Sequence, residues 1–204
     1  MNIFFDLDGT LLDSRKRLYL LFQDLVPEST LSIDEYWELK RNKISHKDIL
    51  LEKLNYTKDN LINFEGEFLK KIESPSYLQF DTLIYGAYDI LNTLTCKYKL
   101  FIITARQKKE NTFLQLKELD IYKYFKDILV TEHKYEKAEL IRRLQFKNED
   151  FMIGDTDYDV LTGKQLGIRT IAVCYGFLNK KKLKDCEPEF MVDNICEITA
   201  ILDK

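Results

Sequence analysis

The chain has 204 residues, 45% hydrophobic and 32% charged, the balance of a globular α/β-sized core with room for a second, inserted unit. A formal net charge of −3 gives no electrostatic basis for binding nucleic acid or an anionic membrane, and no stretch approaches the ~18 uncharged apolar residues of a bilayer span. The cysteines (Cys96, Cys174, Cys186 and Cys196) form no Cys-x-x-Cys pair, and His46 and His133 are the only histidines. A zinc site is therefore not expected, and the thiols are read as reduced, in a cytoplasmic protein.

In chain order, Ile3, Phe4 and Phe5 form an apolar run that predicts a buried strand ending at Asp6-Leu7-Asp8-Gly9-Thr10-Leu11. Ligands of open α/β sheets bind beyond the carboxyl ends of the strands, so Asp6 and Asp8 stand where chemistry would take place. Residues 15–80 carry helical stripes instead: Leu18, Leu21, Phe22 and Leu25, then Tyr36 to Lys40, then Ile49, Leu50 and Leu54, then Leu61 to Ile72. The Ser74-Pro75-Ser76 turn marks the exit. This predicts an all-α insertion with Tyr36 and Trp37 in its core. Its basic segment from Lys40 to Lys47 is read as a loop between two helices, with His46 at the surface.

Helices and strands alternate from about residue 82 onward. Helices are predicted over Ala87–Leu94, Lys109–Leu119, Glu136–Leu144 and Val160–Leu166, the last ending at Gly167. Strands are predicted over Tyr98–Thr104, Asp127–Val130, Phe151–Ile153 and Arg169–Val173, with a strand after Pro188 and a final helix closing the chain. Such alternation implies an α/β fold with a parallel sheet and right-handed crossovers. The run Lys180 to Lys184 is read as a solvated loop.

Four stretches carry a family resemblance. Phe4-Phe5-Asp6-Leu7-Asp8-Gly9-Thr10-Leu11 resembles the first motif of the haloacid dehalogenase superfamily. The second is Phe101-Ile102-Ile103-Thr104-Ala105, a buried strand ending in a hydroxyl. The third is a lysine near a helix start; Lys137-Ala138-Glu139-Leu140-Ile141 matches best, with Lys134 left open as the alternative. The fourth is Met152-Ile153-Gly154-Asp155-Thr156-Asp157-Tyr158-Asp159, similar to the family's Gly-Asp-(Ser/Thr)-x-x-Asp signature. All four occur in the family's order. Asp157 is read here as the N-cap of the next helix, and Arg106 as a loop arginine facing substrate or solvent.

The resemblance implies a Rossmann-like core of residues 1–14 and 81–204, with residues 15–80 forming a helical C1 cap. It implies that Asp6 is a nucleophile forming an aspartyl-phosphate and that Asp8 is a general acid–base. Mg²⁺ would be held by Asp6, the Asp8 carbonyl and Asp155, with Asp159 ordering a metal-bound water or the lysine. Thr104, Ala105 and Lys137 would bind the phosphoryl group. Dehalogenases of the superfamily lack an acid at the Asp8 position, so carbon–halogen cleavage is disfavoured. Asp13-Ser14 resembles phosphoglycolate phosphatase-like members. The absence of a histidine after Ser14 argues against a β-phosphoglucomutase-like phosphotransferase. The expected function is a Mg²⁺-dependent phosphatase acting on a small phosphorylated metabolite, with a pyrophosphatase or nucleotidase as the alternative on the same core. Arg41, Lys43 and His46 are cap specificity candidates for an anionic substrate. A monomer or homodimer is expected, with no nucleic-acid or membrane partner.

Overall fold

The computed structural model describes residues 1–202, which divide into two compact units. One comprises Met1–Asp13 and the chain from Leu83 onward; the other is Ser14–Thr82.

The first unit is built on a six-stranded sheet. Its strands are β1 (Asn2–Phe5), β4 (Lys99–Thr104), β5 (Phe125–Val130), β6 (Phe151–Gly154), β7 (Arg169–Val173) and β8 (Phe190–Val192). The two-residue strands β2 (Leu12–Asp13) and β3 (Thr82–Leu83) stand where the chain leaves and re-enters this unit. The sheet order is β5-β4-β1-β6-β7-β8, and every pairing in it is parallel. The chain thus winds outward from β1 in one direction, then returns and winds out in the other. The centre of the sheet is where that reversal opens a crevice at the carboxyl edge.

Alternation along the strands sorts the core into two faces. Ile3, Phe5, Leu100, Ile102, Phe151 and Ile153 pack on one face with helices α6 (Ala87–Leu94), α7 (Lys109–Glu118) and α11 (Ile198–Leu202), which contribute Ile90, Leu116 and Ile198. Phe4, Phe101, Ile103 and Met152 pack on the other face with Ile141 of α8 (Lys137–Arg142). Val160 of α9 (Asp157–Leu166) and Leu183 of α10 (Lys180–Lys184) join Ala172 on that side. The register Phe4↔Phe101 puts two aromatic rings 5.3 Å apart under the middle of the sheet. Strands buried on both faces explain the unbroken apolar runs of β1, β4 and β6. Helix α9 ends at Gly167 with φ of 67°. The lysine run from Lys180 is a short helix capped by Asn179, not the expected loop, because the Asn179 side chain accepts from the Lys182 N–H and Leu183 is buried.

The second unit is helical: α1 (Arg15–Leu25), α2 (Ile33–Arg41), α3 (His46–Asp48), α4 (Lys58–Lys71) and α5 (Pro75–Leu78). Capping boxes at Ser32, Ser45 and Thr57 start three of these helices. Beyond α3 the chain passes into a π-helix, Ile49–Lys53, so the Ile49 and Leu50 stripe is not α-helical as expected, although both residues are buried. Tyr36 and Trp37 lie in the unit's core, as their apolar spacing indicated.

His46 is half-buried rather than fully at the surface. Its ring stacks on Phe22 and Tyr36 at centroid distances of 5.7 and 5.9 Å, and meets Phe64 and Phe68 at 5.2 and 4.6 Å. Nε2 is 2.8 Å from the Tyr36 hydroxyl. Burial, helped by the Lys40 charge, pushes the imidazole down to about 3. At neutral pH His46 is therefore an uncharged member of an aromatic nest. Burial likewise draws the Lys40 ammonium down to about 8.

A second buried polar element in this unit is Arg17, whose Nε lies 3.0 Å from Asp81 Oδ1 with both side chains almost fully enclosed. Removing one partner leaves a desolvated charge behind, so Asp81→Ala should cost about 3–5 kcal/mol. Urea unfolding followed by the fluorescence of Trp37, which sits in the same unit, measures this; an unchanged midpoint would show the pair to be inconsequential.

Candidate active site

The carboxyl ends of β1, β4 and β6 lie side by side, and each carries a polar side chain directly beyond or at its last residue. Asp6 follows β1, Thr104 closes β4 and Asp155 follows β6. All three are nearly fully buried. Asp159 comes from the first turn of α9 and Lys137 opens α8.

Lys137 joins these segments. Its Nζ donates to Asp6 Oδ1 at 2.5 Å and to Asp159 Oδ1 at 2.6 Å, and its side chain is 3% exposed. Lys134 is different: its side chain is 66% exposed and lies 3.5 Å from Glu132. Burial pulls the Lys137 ammonium down, but the carboxylates of Asp159 and Asp6 outweigh it and hold the group above its ordinary value.

Each carboxylate has a distinct set of partners. Asp155 accepts from the Thr10 hydroxyl at 2.8 Å and from the Phe177 N–H at 2.6 Å. Asp159 Oδ2 accepts from the Thr156 hydroxyl at 2.6 Å and from its N–H at 3.1 Å. Thr156 is the N-cap of α9, and Asp159 closes its capping box. Asp157, expected as the cap, is instead the first helical residue; Thr156 takes the role because its β-region backbone turns its hydroxyl onto the Asp159 N–H. Asp6 keeps one oxygen, Oδ2, with no hydrogen bond from the described residues.

Two glycines make this crowding feasible. Gly9 has φ of +86°, and a Cβ there would meet Asp155 Oδ2 at 2.3 Å. A Cβ on Gly154 would strike the Asp159 carboxyl carbon at 2.2 Å.

Arg106 is neither solvated nor loosely placed. It is buried, and its Nε and Nη2 each lie 2.7 Å from one oxygen of Asp8. Ala105 is exposed and lines a cleft of about 520 Å³ with Thr131, His133, Lys134 and Tyr158. Tyr175, Gly176 and Phe177 were not singled out from the sequence. The Tyr175 hydroxyl donates to the Thr10 carbonyl at 2.9 Å, and the Phe177 N–H holds Asp155. Their signal was only a Tyr-Gly-Phe turn after a strand, too common to read. Arg41 closes α2, Lys43 follows with φ of 65°, and His46 is packed in the nest described above.

The charge count is unbalanced. Among the described residues, Asp6 and Asp159 share Lys137, Asp8 pairs with Arg106, and Asp155 has no cation. Burial, followed by the charges of Asp6 and Asp159, raises Asp155 well above its ordinary value, and no cation pairs with it among the described residues. Burial outweighs Lys137 and, with the Asp159 charge, pushes Asp6 up to about 7. Oxygen atoms of Asp6, Asp155 and Asp159 lie within 4.8 Å of one another. A set of buried carboxylates short of positive charge fits a hard divalent cation such as Mg²⁺.

A family model described as haloacid dehalogenase-like hydrolase matches residues 3–173. The chain belongs to this family. Among the relatives of this haloacid dehalogenase-like hydrolase, a protein named pyrophosphatase PpaX from Anoxybacillus flavithermus is 28% identical, the match covering 98% of this chain and 96% of the relative. A phosphoglycolate phosphatase from Aquifex aeolicus is also 28% identical, covering 98% and 96%. The fold is shared with a haloacid dehalogenase-like hydrolase from Streptococcus pneumoniae, at a TM-score of 0.74 and 22% identity over 98% of this chain and 97% of that one. No helix among the described residues is long and apolar enough to cross a membrane.

The carboxylate cluster makes the metal-free hydrolase sensitive to pH. Asp6 has its folded value, about 7, above its ordinary 3.8, so the protonated acid favours the fold and that gain is lost as pH rises through this window. Mg²⁺ needs the ionised form, so its stabilisation grows over the same range. At a hundredfold excess over Kd the gain should be about 2.7 kcal/mol, or roughly 5–10 °C in Tm. Thermal shifts with Mg²⁺ and with chelator, from pH 5 to pH 8, check this; equal shifts at every pH would sink it.

Proposed function

We propose that this hydrolase is a Mg²⁺-dependent phosphatase that hydrolyses a small phosphorylated metabolite, phosphoglycolate-like or a sugar phosphate, through an aspartyl-phosphate. The observation that carries this reading is the placement of Lys137 between Asp6 and Asp159 at the carboxyl edge of the sheet. By holding Asp6 Oδ1, the lysine leaves Oδ2 as the oxygen that attacks phosphorus.

In this reading Asp6 Oδ2 forms a bond to phosphorus as the bond to the leaving oxygen breaks, and Asp8 hands a proton to the departing alcohol. Water then attacks the phosphoenzyme, Asp8 takes its proton, and the Asp6 carboxylate is restored. Lys137 and the Thr104 hydroxyl, which has no protein partner among the described residues, bind the phosphoryl oxygens. Asp6, the Asp8 carbonyl and Asp155 would hold Mg²⁺, with Asp159 supporting the lysine. The metal supplies positive charge that offsets repulsion between an anionic nucleophile and an anionic phosphate.

The helical unit is proposed as the substrate-selecting cap, with Arg41 and Lys43 as its candidate anion contacts. His46 is instead half-buried, packed against the aromatic rings of that unit. Pyrophosphate is the second reading, supported by the name of the Anoxybacillus relative, pyrophosphatase PpaX, whose match covers nearly the whole chain.

Asp6→Asn should lower kcat by at least about 10³-fold. Its thermal stability should hold or rise, since a crowded charge is removed from beside Asp155 and Asp159. The assay is phosphate release from phosphoglycolate, sugar phosphates, nucleotides and pyrophosphate, with Mg²⁺ and with chelator. Retention of most activity by Asp6→Asn would rule out the covalent route.

A further inference from the structure

Arg106 is engaged more completely than a substrate-binding arginine would be. Its side chain is 3% exposed. Nε reaches Asp8 Oδ2 and Nη2 reaches Oδ1, each at 2.7 Å, so the fork spans both oxygens of one carboxylate. Nη1 donates to Gln115 Oε1 at 2.6 Å. Gln115 is itself buried, on α7. The guanidinium is therefore held from behind by one helix and holds a carboxylate in front.

A planar fork on a planar carboxylate sets more than a distance. It aligns the two planes and so fixes the side-chain torsions of Asp8. Asp8 lies in the turn that follows β1, where an aspartate without such a clamp would sample several rotamers. Its side chain remains 20% exposed, while the arginine behind it is sealed. The part of the carboxylate that solvent reaches is where a water can meet it.

We propose that Arg106, braced by Gln115, is a positioning residue that orients the Asp8 carboxylate toward the water that hydrolyses the phosphoenzyme. This rests on the phosphatase reading above. In that step the water oxygen forms a bond to phosphorus and its proton passes to the Asp8 carboxylate. The bond between phosphorus and Asp6 breaks, its electron pair returns to the Asp6 carboxylate, and inorganic phosphate leaves.

Para-nitrophenyl phosphate with Mg²⁺ separates the two half-reactions. Nitrophenolate departs as a stable anion and needs no proton, so the first half proceeds without Asp8. Loss of the clamp then slows only the second half. Arg106→Met should lower steady-state kcat about 10²-fold. It should also produce a burst approaching one nitrophenolate per active site, and acid quenching should trap labelled phosphoenzyme. Arg106→Lys, which keeps the charge but cannot span both oxygens, should behave like Arg106→Met. Gln115→Leu leaves Arg106 in place and should give the same burst with a smaller loss, about tenfold; it carries the test if the Arg106 variants do not fold. Millimolar guanidinium should restore turnover to Arg106→Ala. Variants that lose rate without a burst, or Arg106→Lys at the wild-type rate, would overturn the assignment while leaving the phosphatase intact. A wild-type chain that releases no phosphate from any member of the panel would instead overturn the phosphatase reading, and this assignment with it.

Discussion

One ammonium group buried between two carboxylates organises the core unit. Lys137 reaches Asp6 and Asp159 from the start of a helix, and the ion pair to Asp6 spans 131 positions of sequence. Charges so enclosed are tolerated only when each is matched in place, because a misplaced partner costs several kcal/mol. Three chain segments must therefore arrive together: the end of β1, the first turn of α9 and the first residue of α8. The apolar packing under β1 brings them within reach, and the triad then sets their mutual position closely.

Asp159 shows how closely structure and site are joined. One of its oxygens closes the capping box that begins α9, and the other meets the lysine. The same carboxylate stabilises a helix end and offsets part of the Lys137 charge. Gly154, directly beyond which the site begins, has no side chain because that carboxylate fills the space. Among the described residues Asp155 has only neutral donors, so the cluster as a whole remains short of positive charge.

The parallel sheet and the strand-end carboxylates were legible because each depends on a continuous run of sequence. An apolar strand followed by Asp-x-Asp-Gly-Thr, or by Gly-Asp-Thr, announces itself locally, and the alternation of strands and helices gives the layers. What was not legible depends on side chains meeting across distance. Arg106 reads as any loop arginine until the turn after β1 and the face of α7 place Asp8 and Gln115 on either side of it. His46, between charged neighbours in sequence, reads as surface; only the folding of three helices puts Phe22, Tyr36, Phe64 and Phe68 around it. Lys134 and Lys137 lie three positions apart at one helix start, and burial alone tells them apart. Thr156 and Asp157 are both good caps, and a shift of one residue decides between them.

The order of the strands also bears on how the protein is made. β1 precedes the other strands of the sheet in the chain yet occupies its middle, and its neighbours are β4, near residue 100, and β6, near residue 152. A nascent chain must carry this apolar segment, unpaired, until β4 and then β6 have been made. The helical unit lies between and is built from near-neighbour contacts, so its structure can gather while β1 waits. Until then Ile3, Phe4 and Phe5 are exposed apolar surface, although in the fold they are fully buried beneath the strand-end carboxylates.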